Sequence, residues 1–331
     1  MEILYSMFKH ITNDFFDYNK LDKDKIIYHY TTNNGLLGIL NSKELHLSDF
    51  LYLNDKSEFR VIYKPVKNLF LRALKKVYGE LINYLDDQEN KQKQGELVGP
   101  YLNENFKTKD SERDFLDTLL NKIDGLQQDV DNLEAYTLCF CEDSDLLSQW
   151  KGYAENGKGF SLGFKVDNLL NKYAKKKSDN RYYYGKNGVF ILLHQVIYDE
   201  ADISEIFERA IADITGELAS HMGEALIIEE MINEMLLLYI IMSAFYKDKS
   251  FEEEAEWRLV IIDSNEPKIG KMGIKPHNFG IMPFYTLEFP DFQEMIHEII
   301  IGPKYDYSRN RKALLNIIEE EKIRHSEIPL Q

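Results

Sequence analysis

Ile26-Ile27-Tyr28-His29-Tyr30 is a short run of β-branched and aromatic residues, bounded downstream by Thr31-Thr32-Asn33-Asn34. The run reads as a strand, and the Thr/Asn cluster supplies capping residues for a helix over Gly35 to Leu40, where Leu36, Leu37, Ile39 and Leu40 are apolar. Leu45-His46-Leu47-Ser48 then reads as a second strand, and Asp49 to Glu58 as an ordered polar loop. Side chains at i and i+2 of a strand share a face, so His29 and Thr31 point one way and Tyr28 and Tyr30 the other. A histidine at a strand end can donate to a ribose hydroxyl with a nearby threonine in support, although a lone histidine is more commonly a partly buried ring satisfied by backbone.

Working outward, residues 1–25 have Phe8, Ile11, Phe15 and Phe16 at helical spacing and predict an amphipathic N-terminal helix. Residues 64–134 change character, being helical, heavily charged and broken by a polar stretch around Asp86 to Gly95. There Leu116, Leu119, Leu120, Ile123, Leu126, Val130 and Leu133 recur every three or four residues, as one face of a long helix does, which predicts a helical insertion or lid. Strand signals return at Tyr136–Cys141, Phe160–Phe164, 189–198, Glu254–Ile262, Met282–Phe289 and Ile299–Gly302. Helices are expected at Leu146–Ala154, within 203–247 and at Ser308–Lys322. Strands scattered among helices without regular β-α alternation predict an α+β fold with a mixed, mostly antiparallel sheet. The expected organisation is 1–63 as N-terminal helix and first part of the core, 64–134 as the insertion, and 135–331 as the remaining core with internal helices.

Composition limits the possible functions. Among 331 residues, a hydrophobic fraction of 44% with 13% aromatics is enough for a substantial core, which excludes a mainly disordered chain. The charge sum 40 − 56 = −16 means that any nucleic-acid role needs a local basic site rather than the net field. Lys172 to Lys177 with Arg181 is the one strongly basic run, and a solvated loop is its simpler explanation. Two cysteines two residues apart in a strand, Cys139 and Cys141, suit reduced thiols and a cytoplasmic setting better than a strained bridge. The apolar stretch Met235–Tyr246 is too short to span a bilayer, and no export signal opens the chain, so no membrane partner is expected.

Several motifs fail. Gly152 to Gly157-Lys158 begins like a phosphate-binding loop, but Gly159 stands where Mg²⁺ coordination needs Ser or Thr, and a helix precedes it instead of a strand. The eight histidines have no paired-ligand spacing, two cysteines cannot build a structural zinc site, and there is no Gly-x-Ser-x-Gly elbow. No metal is expected.

Others survive. In Glu254-Ala255-Glu256-Trp257-Arg258-Leu259, strand alternation is expected to line up Glu254, Glu256 and Arg258 on one face and send Ala255, Trp257 and Leu259 into the core. Two carboxylates and a guanidinium suit a sugar or oxocarbenium-like centre, where one carboxylate holds a ribose hydroxyl and steadies the developing cation; the plain alternative is an exposed edge with an ion pair. Asn54-Asp55-x-x-Glu58 follows an aromatic stretch containing Phe50 and Tyr52. Trp150 and Tyr153, one helical turn apart, form either an aromatic wall or simply core.

Taken in order, these stretches resemble a bacterial family known as domain of unknown function 2971. The resemblance rests on Tyr28-His29-Tyr30 with its short helix, Leu47-Ser48 through Asn54-Asp55-x-x-Glu58, Cys139-Phe140 through Trp150-x-x-Tyr153, Gly159-Phe160-Ser161-Leu162-Gly163-Phe164, and Lys249 through Glu254-x-Glu256-Trp257-Arg258. Cys141, where the family often has Ser, and Gln149, where Met commonly precedes the Trp, depart from the pattern. The opening Tyr28-His29-Tyr30-Thr31, short helix and Leu45-His46-Leu47-Ser48 is also similar, more distantly, to ADP-ribosyltransferase folds of the diphtheria-toxin-like kind. That resemblance implies NAD as substrate, His29 on the adenosine ribose, Glu256 on the nicotinamide ribose and Glu254 orienting the acceptor. Tyr52 or Tyr153 would stack on nicotinamide, and Thr31 and Arg258 would join the cofactor site. Tyr30, Ser48, Asn54, Asp55, Glu58 and Trp150 are further pocket candidates.

The expected function is transfer of ADP-ribose to a macromolecular acceptor, protein or nucleic acid, in a phage-defence or toxin setting, with a regulatory partner protein. The alternative is a non-enzymatic sensor that binds a nucleotide or protein in the same cleft. A metal-dependent nuclease using Asp49, Asp55, Glu254 and Glu256 ranks third, because no Lys follows the Glu-x-Glu pair. The first reading needs His29 and Glu256 to converge on one crevice.

Overall fold

A computed structural model describes residues 22–52, 65–73, 118–119, 121–122, 135–171, 189–219, 225–263, 271–277, 280–288 and 292–330. The N-terminal amphipathic pattern up to residue 21, most of 64–134, the basic run at 172–181, and Asn54, Asp55 and Glu58 lie outside the described residues.

The chain divides into two units, each interrupted in sequence. The first comprises 1–15, 54–133 and 197–249, so the apolar helices after residue 197 group with the stretch expected to be an insertion. Its described part is helical, with long helices over Glu200–Ala219 and Ala225–Phe245 and a shorter stretch at 65–73. Phe70 packs edge-on against Phe207 (5.3 Å) and Tyr239 (6.0 Å), and Val66, Leu69, Ile203, Met235, Leu238, Met242 and Phe245 are buried with them. Among the described residues, no helix is long and apolar enough to cross a membrane.

The second unit comprises 16–53, 134–196 and 250–331 and holds a ten-stranded sheet. Its strands are β1 (Ile26–Thr31), β2 (Glu44–Asp49), β3 (Ala135–Cys141), β4 (Phe160–Lys165), β5 (Val189–Gln195), β6 (Glu256–Asp263), β7 (Lys271–His277), β8 (Gly280–Glu288), β9 (Ile296–Ile301) and β10 (Ile323–His325). The main path runs β10-β9-β4-β1-β3-β2-β8-β7, and β6 lies on the other edge of β3 with β5 beyond it. All the pairings are antiparallel except β9 with β10, as the absence of regular β-α alternation predicts.

Local chemistry explains the opening of this unit. Thr32 caps the Asn33–Ser42 helix, its hydroxyl accepting from the Gly35 amide at 3.1 Å, and Lys43 ends the helix in the left-handed region at φ 57°. The main core takes Ile27 from β1, Leu45 and Leu47 from β2, Tyr136, Leu138 and Phe140 from β3, and Trp257, Leu259 and Ile261 from β6. A smaller cluster on the other side collects Tyr28, Tyr30, Cys141, Trp150, Ala154 and Ile300. The loop that begins like a phosphate-binding motif is a short 3-10 turn, Glu155–Gly157, with Gly157 at φ 91°. A Cβ on Gly159 would collide with the Thr31 carbonyl oxygen and with Ala154, so close backbone packing against β1 accounts for that glycine.

Two expectations are corrected. Glu254 is not on a strand: it ends a 3-10 helix, Lys249–Glu254, and Ala255 turns the chain at φ 40°, so β6 starts at Glu256 and Ala255 is only half-buried. The strand periodicity that would align Glu254 with Glu256 is broken by that one left-handed residue. The second correction is β7, which sequence periodicity does not suggest: Met272 and Ile274 are exposed, and Pro276 sits in an outermost strand of the main path.

Candidate functional site

The second edge of β3 is shared by two strands. Tyr28 of β1 opposes Cys141 at one end, while Ser48 and Asp49 of β2 oppose Thr137 and Tyr136 at the other. Among the described residues the strand registers on that edge end at Thr137 on the β2 side and at Cys141 on the β1 side, either side of Leu138, Cys139 and Phe140, whereas β6 pairs with the full length of the opposite edge. The sheet therefore forks at Cys139. An open edge exposes carbonyl groups that need donors, and His29 supplies one, its Nδ1 lying 3.0 Å from the Cys139 carbonyl. A carbonyl only accepts, so Nδ1 carries the proton and Nε2 keeps its lone pair. Burial lowers the His29 pKa below its ordinary value, opposed by the Cys139 bond and assisted by the positive charge of Lys275.

Sequence reasoning quoted His46 without giving it a role, and it did not find Lys275 or Phe284. His46 stacks on Phe284 with ring centres 4.1 Å apart and planes 17° from parallel. The Lys275 ammonium sits 5.8 Å from the centre of the Phe284 ring. Burial and the Lys275 charge lower the His46 pKa against the opposing pull of Glu44, and burial lowers that of Lys275. The available sequence signal was alternation: His46 and Ser48 face away from Leu45 and Leu47, and Lys275 faces Met282 across the β7–β8 hairpin.

The pairing places Glu256 differently from the expectation. Tyr28, Cys141 and Glu256 form one rank across β1, β3 and β6. His29, one residue further, leaves β1 on the opposite side, where it opposes the core residue Leu162 and meets the Phe140 ring edge-on at 6.0 Å. The histidine that shares the Glu256 side is His46: it alternates with Ser48, which opposes Thr137, which opposes Val260, and Val260 alternates with Arg258 and Glu256. Glu256 and Arg258 bond each other twice, Nε to Oε1 at 2.7 Å and Nη2 to Oε2 at 3.2 Å, with residue exposures of 5% and 1%. The Arg258 guanidinium also lies over the Phe50 ring at 6.0 Å.

The other candidates serve the framework. Trp150 is fully buried, meets Tyr30 edge-on at 4.9 Å and donates to Asp145. Tyr30 donates to the Asp143 carbonyl and accepts from the Leu146 amide, which fixes the 142–146 loop. Tyr153 packs half-buried against the same cluster, and Thr31 is buried opposite Phe160. Tyr52 closes the short turn after β2, half-buried, and Ser48 is bracketed in the ladder by Thr137 and Phe284. Cys141 is buried, its thiol pushed up to about 12 chiefly by burial, with the Glu254 carboxylate among the charges acting on it. Among the described residues no group of three His, Cys, Asp or Glu side chains is placed to hold a metal.

Comparison with known proteins gives one finding. Residues 149–259 match a family described as protein of unknown function (DUF2971). The match covers 111 of the 331 residues. It begins at Gln149, beside Trp150, and ends at Leu259 of β6, thus including the Glu256–Arg258 pair. No curated protein and no solved structure matches the chain.

Proposed function

We propose that this chain binds a nucleotide in the fork between β1 and β2. The supporting observation is the opening of the β3 edge at Cys139, where a ring nitrogen of His29 is already committed to backbone. The remaining Nε2 lone pair is an acceptor suited to a ribose hydroxyl, and the His46–Phe284 pair offers a flat apolar surface suited to a base or nicotinamide ring. On this reading the chain is a sensor module that binds without turnover, because the Glu256 carboxylate is held in a buried bidentate pair with Arg258.

Transfer of ADP-ribose from NAD to a macromolecular acceptor, in a defence or toxin setting, is the second reading. It is favoured by the position of Glu256 on the side of the sheet that carries His46 and Ser48, where a carboxylate could steady a ribosyl cation. Calorimetric titration of the full chain with NAD tests binding, with His29→Ala and Phe284→Ala each expected to weaken it at least tenfold. Mass spectrometry of the same mixtures separates the two readings: NAD bound and recovered intact supports the sensor, whereas released nicotinamide supports transfer. No heat of binding, or unchanged affinity in both variants, removes the nucleotide from the fork.

A further inference from the structure

Lys275 is the cation in this unit that most needs explaining. It is half-buried, and among the described residues it has no hydrogen bond and no ion pair; its recorded contact is with the Phe284 ring. Four residues earlier on the same strand, Lys271 bonds Glu288 and lies 3.7 Å from Glu44. Glu44 is also the carboxylate beside His46, at 3.6 Å. Glu44 and Glu288 are thus engaged with Lys271 and His46, and among the described residues no carboxylate is bonded to Lys275. A buried cation without a counter-ion is costly, and proteins ordinarily pair it or leave it in water. The His46 ring stacks on the same Phe284 ring that the ammonium meets, and the Lys275 charge helps to lower the pKa of both His29 and His46.

We infer that Lys275, with His46 beside it on the Phe284 ring, forms the seat for the phosphate groups of the ligand in the fork. This rests on the nucleotide reading and deepens it by assigning the end of the ligand that carries charge. A phosphate beside Lys275 supplies the missing counter-ion, and a lysine ammonium serves such a group as a compact point charge with three donors. Neutral His29, with Nδ1 on the Cys139 carbonyl, is left to accept, so it suits the sugar hydroxyl rather than the phosphate. The arrangement predicts a preference for di- and pyrophosphate-bearing nucleotides over nucleosides.

The test is calorimetry on the full chain with adenosine, ADP and inorganic pyrophosphate, using wild type, Lys275→Met and Lys275→Gln. ADP should bind wild type at least tenfold more tightly than adenosine, and both variants should remove that preference while changing adenosine affinity by less than threefold. Thermal melts of the ligand-free variants should match wild type or exceed it, since an unpaired cation has been removed, which guards against loss of fold. Equal affinity for adenosine and ADP in wild type overturns the phosphate seat and leaves the nucleotide reading standing. So does equal weakening of both ligands in folded variants. Pyrophosphate binding that depends on Lys275, with adenosine and ADP both inert, upholds the anion seat and removes the nucleotide. Absence of binding by all three ligands ends both.

Discussion

Two polar regions of the same sheet look alike in sequence and differ in what the fold does with them. Glu256 and Arg258 are charged, adjacent on one strand face and almost completely buried, and each meets the other's charge through two bonds. His29, His46 and Lys275 come from three strands, are only partly buried, and have between them one backbone carbonyl and one shared carboxylate. The first region is a saturated structural pair; the second has bonding capacity to spare. Motif reading favours the first, because two charges two residues apart are visible in one line of sequence. Physical chemistry favours the second as the place where something binds, since an unsatisfied buried base gains more from a ligand than a satisfied pair does.

The largest expected effect comes from breaking the saturated pair. Glu256→Ala removes the carboxylate that the buried Arg258 guanidinium bonds twice and should cost about 3–5 kcal/mol in urea unfolding. Replacing both partners with apolar residues, Glu256→Leu with Arg258→Met, should recover most of that loss. If the single variant is as stable as wild type, the pair is not structural, and Glu256 returns as a catalytic candidate. Glu256→Gln is for the same reason a poor test of chemistry alone, because any loss of turnover would be mixed with loss of stability.

A second saturated network provides an intermediate effect. The Tyr28 hydroxyl donates to Glu298 at 2.8 Å, and Arg324 bonds both oxygens of that carboxylate. Burial and the Glu298 charge push the Tyr28 phenol far above its ordinary range. Burial alone would raise the Glu298 pKa, but the bonds from Arg324 and Tyr28 outweigh it and hold it below the usual carboxylate range. Tyr28→Phe should cost about 1–3 kcal/mol, read by the same unfolding titration.

The fork should show the smallest stability effect, and it should depend on pH. His29 and His46 both have folded-state pKa values below the unfolded one, so the unfolded chain binds more protons near pH 6. Their neutral forms contribute stability that is fully present above about pH 6.5 and is lost as pH falls through the lowered values. The melting temperature should therefore drop between pH 7.5 and 5, and the drop should be shallower in His29→Gln with His46→Gln. An equal drop in the double variant would assign the acid sensitivity to other groups.

Much of the framework was readable from local pattern. β1, its capped helix and β2 follow from β-branched and aromatic residues, from Thr32 and from the alternation of Leu45 and Leu47. β3 through β6, β8 and β9 were also legible, because each is a short run of β-branched, aromatic and other apolar residues that the fold buries. β7 was not, since its apolar side chains stay exposed and its Gly273, Lys275 and Pro276 read as loop. Nor was the displacement of Glu254, which depends on the φ of a single alanine.

What the sequence determined by itself is most of the strands and the inward direction of Trp257 and Leu259 on β6, which depend on neighbours within a few residues. Only the tertiary structure decided that β1 and β2 share one edge of β3, on either side of Cys139, and that His46 and Lys275 both meet the Phe284 ring. Strand order and register join residues far apart in the chain, 46 with 284 and 29 with 139, and no local periodicity encodes which distant edge a strand will choose.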